Sequence, residues 1–195
     1  MRTEFRTYNI YSIDELSTES QERAHQEWRD TKDYPYGSDN RKTLAEFEDM
    51  FELSVTNWSY DSCAYNYKFS SSVRAEIEEM SGLRLATYFI NNHWQRLFAP
   101  KHYWKGRKMR ASRVFVSTDC PLTGYCADFA ILDPIYKFLK NPTEEITYHD
   151  LMNSCLDNFF KMCCRDVEST ETMEYFIDES LANEWEYLED GTLFN

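Results

Sequence analysis

Glycine and proline are scarce in this chain, five of each among 195 residues. That scarcity excludes collagen-like and low-complexity sequence. It also leaves no closely spaced glycines to cradle a phosphate, so neither a G-x-G-x-x-G nor a P-loop motif is present. No window approaches the about 18 apolar residues of a transmembrane helix. Behind Met1-Arg2-Thr3-Glu4-Phe5-Arg6 there is no apolar core of a secretory signal. No G-x-S-x-G or Ser-x-x-Lys string occurs, which removes two familiar nucleophile signatures. The expectation is a non-enzymatic, cytoplasmic protein without a membrane segment.

Six cysteines (63, 120, 126, 155, 163 and 164) form an even set. Without a secretory signal the even count points to reduced thiols and not to a disulfide framework. Cys120 and Cys126 are separated by five residues, with His149, Cys155, Cys163 and Cys164 downstream. Structural zinc sites use tighter pairs, so the better expectation is core thiols, with no metal and no cofactor. Four histidines (25, 93, 102 and 149) could partner a cysteine, but no local signature surrounds any cysteine.

What is present in quantity is hydrophobic and aromatic residues, 42% and 16%, together with a formal charge of −13. The first excludes disorder, and the length suits one domain with its own core. The charge disfavours general binding to nucleic acid or anionic membrane. It is unevenly placed. Residues 101–140 hold 3 acids and 8 bases, while residues 141–195 hold 14 acids and 2 bases, net −12.

The periodicity predicts a first strand over Phe5–Ser12, then a helix capped by Ser17 and running to about Asp30. A turn follows at Asp33–Ser38. A second helix starts near Arg41, its stripe being Leu44, Phe47 and Phe51. Leu53–Tyr60 and Tyr65–Phe69 form a hairpin, because Tyr65, Tyr67 and Phe69 alternate with Asn66 and Lys68. Val73–Met80 is a short helix closed by Gly82, and Leu83–Phe98 a longer one. Arg113–Ser117 is a short strand, Cys120–Gly124 a turn, and a helix then runs to Leu139 with a kink near Pro134. Thr147 and Asp150 cap a helix to about Arg165, and another spans Glu171–Asn183. Asp190-Gly191 turns a terminal hairpin. The sum is a single α+β domain over residues 1–195, an antiparallel sheet with helices packed mainly on one face, and an acidic helical last third at 141–195.

Two charged segments are candidate binding surfaces. Asp157, Asp166, Glu171, Glu174, Asp178 and Glu179 would present rows of carboxylates from the last two helices, at separations resembling phosphate spacing along a strand of DNA or RNA. Such a face can occupy a basic groove with steered association; solubility alone is the plainer explanation. Adjacent acids such as Glu144-Glu145 and Glu189-Asp190 read as solvated faces. The other segment places Lys101, Lys105, Arg107, Lys108, Arg110 and Arg113 around Tyr103 and Trp104, a pattern that binds nucleotides or single-stranded nucleic acid. It also fits a solvated loop, or one paired with the acidic C-terminal region.

Several strings resemble small proteins encoded by bacteriophages and prophages. They are Tyr8-Asn9-Ile10-Tyr11 followed by Asp14-Glu15-Leu16-Ser17, Ser20-Gln21 and Ala24; Trp58-Ser59-Tyr60-Asp61; Cys120-Pro121-Leu122-Thr123-Gly124-Tyr125; and Asn183-Glu184-Trp185-Glu186-Tyr187-Leu188-Glu189-Asp190-Gly191. The resemblance implies an inhibitor of host defence, anti-CRISPR or antirestriction in kind. Its partner would be a basic surface on a nuclease or CRISPR effector. An antitoxin-like binding protein is the alternative within the same group. The resemblance marks no site residue.

Overall fold

The computed structural model describes residues 1–2, 6–112, 114 and 116–194. Arg113, one of the basic residues named above, lies outside them. In chain order the elements are a 3-10 turn at Ile13–Glu15, then α1 (Thr18–Thr31), α2 (Gly37–Phe51), β1 (Leu53–Tyr60) and β2 (Tyr65–Ser71). After these come α3 (Ala75–Glu78), α4 (Gly82–Phe98), β3 (His102–Lys105), β4 (Lys108–Ala111), α5 (Ala127–Lys140), α6 (Tyr148–Thr170) and α7 (Met173–Ala182). The class is α+β with antiparallel strands, as expected. The strands form two separate two-stranded sheets, β1-β2 and β3-β4. By packing, the chain divides into two compact units, Pro35–Arg165 and a smaller one built from Met1–Tyr34 with Asp166–Asn195.

In the larger unit, α2 buries the stripe of Leu44, Phe47 and Phe51. Asp61 makes the β1-β2 reversal, its carboxylate accepting from the N–H groups of Cys63 and Ala64 at 2.7 Å each. Tyr65 and Tyr67 stack their rings on Phe160 of α6, at 6.0 and 5.1 Å. Thr147 and Asp150 cap α6 reciprocally: the Thr147 hydroxyl donates to the carboxylate at 2.7 Å and accepts from the Asp150 N–H at 3.2 Å. Leu85 and Phe89 of α4, Ile131 and Ile135 of α5, and Leu156 and Phe159 of α6 complete the core. Buried tyrosines tie their hydroxyls to backbone: Tyr136 to the Leu97 carbonyl and Tyr148 to that of Phe51, both at 2.6 Å.

The smaller unit closes around Ile13, Leu16, Ala24, Phe176 and Tyr187, with Trp28 and Trp185 against them. Ser17 caps α1 by accepting from the Ser20 N–H at 3.2 Å, and Thr172 caps α7 from the Tyr175 N–H at 3.2 Å. The terminal reversal forms where expected. Gly191 has φ +88, and a Cβ there would lie 2.2 Å from the Ser20 carbonyl oxygen. Only glycine fits on both counts.

Several boundaries differ from expectation. Of the strand predicted over Phe5–Ser12, Phe5 lies outside the described residues. The rest shows only a bridge from Tyr11 to Tyr187; Tyr8 and Ile10 are exposed and have no sheet to bury against. In the strand predicted at Arg113–Ser117, Arg113 and Phe115 lie outside the described residues, and Val114, Val116 and Ser117 are not in a strand. The helix placed to Arg165 continues to Thr170, where the chain is again buried and the last carbonyl accepts from Lys32.

Candidate functional site

The two units differ in charge. The smaller holds 18 acidic and 5 basic residues, net −13, while the larger holds 16 of each, net 0. The whole formal charge of the protein therefore resides in one unit assembled from both ends of the chain. The division by sequence at residue 140 missed the share of α1, whose Glu19, Glu22, Glu27 and Asp30 are all exposed. No local periodicity could have revealed that, since the association of the two ends is non-local.

The six carboxylates expected to form one acidic face are not equivalent. Asp157 belongs to the larger unit, half-buried, and accepts from the hydroxyls of Tyr65 at 3.2 Å and Tyr67 at 2.8 Å. On α6 it is nine residues from Asp166, about two and a half turns, so the two point to opposite sides of that helix. Asp166 is half-buried, and burial, opposed by a hydrogen bond from Tyr34, raises its pKa above the usual carboxylate value. Glu171 is held by Arg29 at 3.3 Å, with the Glu171 carboxylate largely covered. Glu174 and Asp178, one helical turn apart on α7, are exposed, and Glu179 is half-exposed beside Asn183. The open part of the predicted face is thus Glu174, Asp178 and Glu179, and Asp157 is not part of it.

The same unit holds a cavity of about 350 Å³ lined by Glu27, Trp28, Lys32, Phe176, Trp185 and Tyr187 among others. The Lys32 ammonium lies 4.4 Å over the Trp28 ring and donates to the Thr170 carbonyl at 2.5 Å, which satisfies an orphan oxygen at the end of α6. Burial lowers the Lys32 pKa from its ordinary value.

The basic segment is a β-hairpin. Lys105 faces Lys108 across the strands, which leaves Gly106-Arg107 as a two-residue turn. Gly106 has φ +66 whereas Arg107 stays at negative φ, the pattern of a type II′ turn. Gly106-Arg107 is therefore the local sequence signal for this hairpin. Side chains alternate between the faces. One face carries His102, Trp104, Met109 and Ala111; the other carries Tyr103, Lys105, Lys108 and Arg110. Trp104 is 71% exposed, Met109 61% and Tyr103 48%. Lys101, Lys105, Arg107, Lys108 and Arg110 form no ion pair with any described residue. At the base, the Ser112 N–H donates to the Lys101 carbonyl at 2.9 Å. Beside it opens a cavity of about 500 Å³ lined by Lys101, His102, Tyr103, Ser112 and Val114.

The expectation of core thiols holds for two of the six cysteines, while Cys63 and Cys126 are exposed and Cys120 and Cys164 half-buried. Cys155 and Cys163 are fully buried in the core of the larger unit, and burial raises the thiol pKa of Cys155. Burial and the neighbouring Cys126 also raise that of Cys120. Cys155 and Cys120 are thereby held as thiols, the unreactive form. Among the described residues no group of three or more His, Cys, Asp or Glu side chains is placed to hold a metal ion. No helix among them is long and apolar enough to cross a membrane. The sharpest buried charge is Asp128 at the start of α5. Its carboxylate accepts from the N–H groups of Leu122, Thr123 and Gly124 at 2.9, 2.6 and 3.1 Å, and from the hydroxyls of Thr43 and Thr123 at 3.0 and 2.6 Å. All its acceptor sites are consumed in holding the 122–124 loop, so it is a structural acid.

No protein-family model matches the chain, and neither a curated protein nor a solved structure matches it.

Proposed function

We propose that this is a non-enzymatic binding protein whose acidic unit docks on a basic, nucleic-acid-binding surface of another protein and occupies it in place of nucleic acid. The observation that carries the reading is the confinement of all 13 net negative charges to the unit of Met1–Tyr34 and Asp166–Asn195. A charge needed only for solubility has no reason to gather in one unit. Gathered, it makes a field that steers a basic partner. The aromatic cavity of Trp28, Phe176 and Trp185 supplies an apolar anchor point within that unit, the usual companion of a charged rim at an interface. The resemblance to phage-encoded proteins extends the proposal to a host defence nuclease or CRISPR effector in the cytoplasm.

Immobilised full-length protein should capture such a partner from an extract of the natural host. Captured proteins are identified by mass spectrometry. The proposal requires that the captured protein be basic, that heparin displace it, and that Glu174→Lys/Asp178→Lys weaken the capture about tenfold or more. The loss of two ionic contacts should also flatten the salt dependence of what binding remains. Capture indifferent to heparin, salt and both charge reversals would overturn the reading.

A further inference from the structure

We infer that the β3-β4 hairpin and the cavity at its base bind single-stranded nucleic acid, with a base against Tyr103 and phosphates along Lys105, Lys108 and Arg110. Sequence-tolerant single-strand binding needs a track of cations beside an aromatic platform on one surface. The register provides this: Tyr103 lies opposite Arg110, and Lys105 opposite Lys108, on one face. Lys105 and Lys108 are like charges directly across the strands, an arrangement that destabilises a free hairpin. A phosphate between them relieves the repulsion. The three cations Lys105, Lys108 and Arg110 have no partner among the described residues, unlike Arg23, Arg29, Lys42 and Arg96, which all pair with carboxylates.

The cavity distinguishes nucleic acid from other anions. It continues from Tyr103 over Lys101, His102, Ser112 and Val114 and measures about 500 Å³, room for a flat ring that the carboxylates of a second copy's acidic unit would leave empty. A single-stranded base is free to unstack toward it, whereas a paired base is held in its duplex. The unit that carries the hairpin has no net charge, so the acidity of the chain does not belong to the surface that would receive the strand. The site and the acidic surface belong to different units, and neither reading depends on the other.

Fluorescence anisotropy tests it, with the full chain titrated into a labelled oligothymidylate of about twelve nucleotides at about 50 and about 200 mM salt. Saturable binding is expected, its log affinity falling with log salt at a slope of about −2, the value for three neutralised phosphates on a single strand. Lys105→Glu/Lys108→Glu should weaken binding at least about tenfold and flatten that slope. Tyr103→Ala should weaken it about tenfold with the slope unchanged. Trp104→Ala, on the opposite face, should stay within about twofold. All four positions are exposed, so the fold, checked by circular dichroism, should be unaffected. Absence of saturable binding at the lower salt would overturn the inference, as would equal losses for Trp104→Ala and Tyr103→Ala. Sedimentation of the same samples separates the rival occupant. Salt-sensitive self-association abolished by the double reversal, without oligonucleotide binding, would assign the cationic face to a second copy.

Discussion

Asn158 donates its side-chain amide to the carbonyl oxygen of Ala130 at 2.6 Å. Pro134 stands inside α5, four residues beyond Ala130, and has no N–H to give that oxygen. The side chain from α6 thus replaces the hydrogen bond that the proline removes, and α5 continues to Lys140.

Asn158→Ala should therefore cost about 1–3 kcal/mol, the penalty for an orphaned carbonyl in a largely buried position. In a Pro134→Ala background the helical N–H returns, and the same Asn158→Ala change should cost well under half as much. A double-mutant cycle by urea denaturation measures the coupling. Equal costs in the two backgrounds would remove Asn158 from this role.

Asp128 is a second buried dependency. Asp128→Ala strands the N–H groups of Leu122 and Thr123, while the Gly124 N–H keeps the Cys120 carbonyl at 3.1 Å and the Thr43 and Thr123 hydroxyls keep each other at 3.0 Å; the expected loss is about 2–4 kcal/mol. Asp128→Asn keeps the shape but turns donors toward donors, and should be intermediate. The denaturation midpoint should fall with little change in the slope m. The loop at 119–126 should become the preferred site of limited proteolysis.

These relationships mark how far the sequence was legible. The β1-β2 hairpin could be read because Tyr65, Tyr67 and Phe69 bury one face while Asn66 and Lys68 stay wet, which produces a period of two. The caps at Ser17 and at Thr147 with Asp150 are local chemistry and were equally readable. The β3-β4 hairpin gave no such signal, because neither of its faces is buried and period-2 burial is what strand recognition depends on. Asp157 could have been separated from Asp166 by helical arithmetic alone. The assembly of the acidic unit from both ends of the chain could not, since Tyr11 and Tyr187 meet through backbone hydrogen bonds that carry no side-chain pattern.

His93 makes stability depend on acid. Burial, with a smaller contribution from Arg96, pushes its imidazole down from 6.5 to about 4, and its Nε2 has no hydrogen-bond partner among the described residues. The unfolded chain takes up a proton near pH 6.5 that the folded ring refuses until near pH 4. This contribution is thus fully favourable above about 6.5 and falls as the pH drops through that window, by about 2 kcal/mol at pH 5. His93→Phe, among Phe51, Tyr88 and Phe89, should remove that part of the slope. Urea midpoints at pH 7 and pH 5 measure it. An unchanged difference between the two pH values would show that His93 is not its source.

The acidic unit should reveal its self-repulsion in its stability. Glu174 and Asp178 are exposed and have no partner among the described residues, so reversing them breaks no ion pair; the one opposing cost is the favourable place of Glu174 in the first turn of α7. In a unit of net −13, replacing two negative charges with positive ones relieves repulsion. Glu174→Lys/Asp178→Lys should then raise Tm by about 1–2 °C at low salt, and the gain should shrink as added salt screens the field. Glu171→Lys is the contrast, because it breaks the pair with Arg29 and sets two cations together; it should lower Tm. The two variants together separate carboxylates that hold the unit from carboxylates left open for a partner. A double reversal that destabilises as much as Glu171→Lys would mean that Glu174 and Asp178 are structural, and would leave α7 no free acidic face to offer.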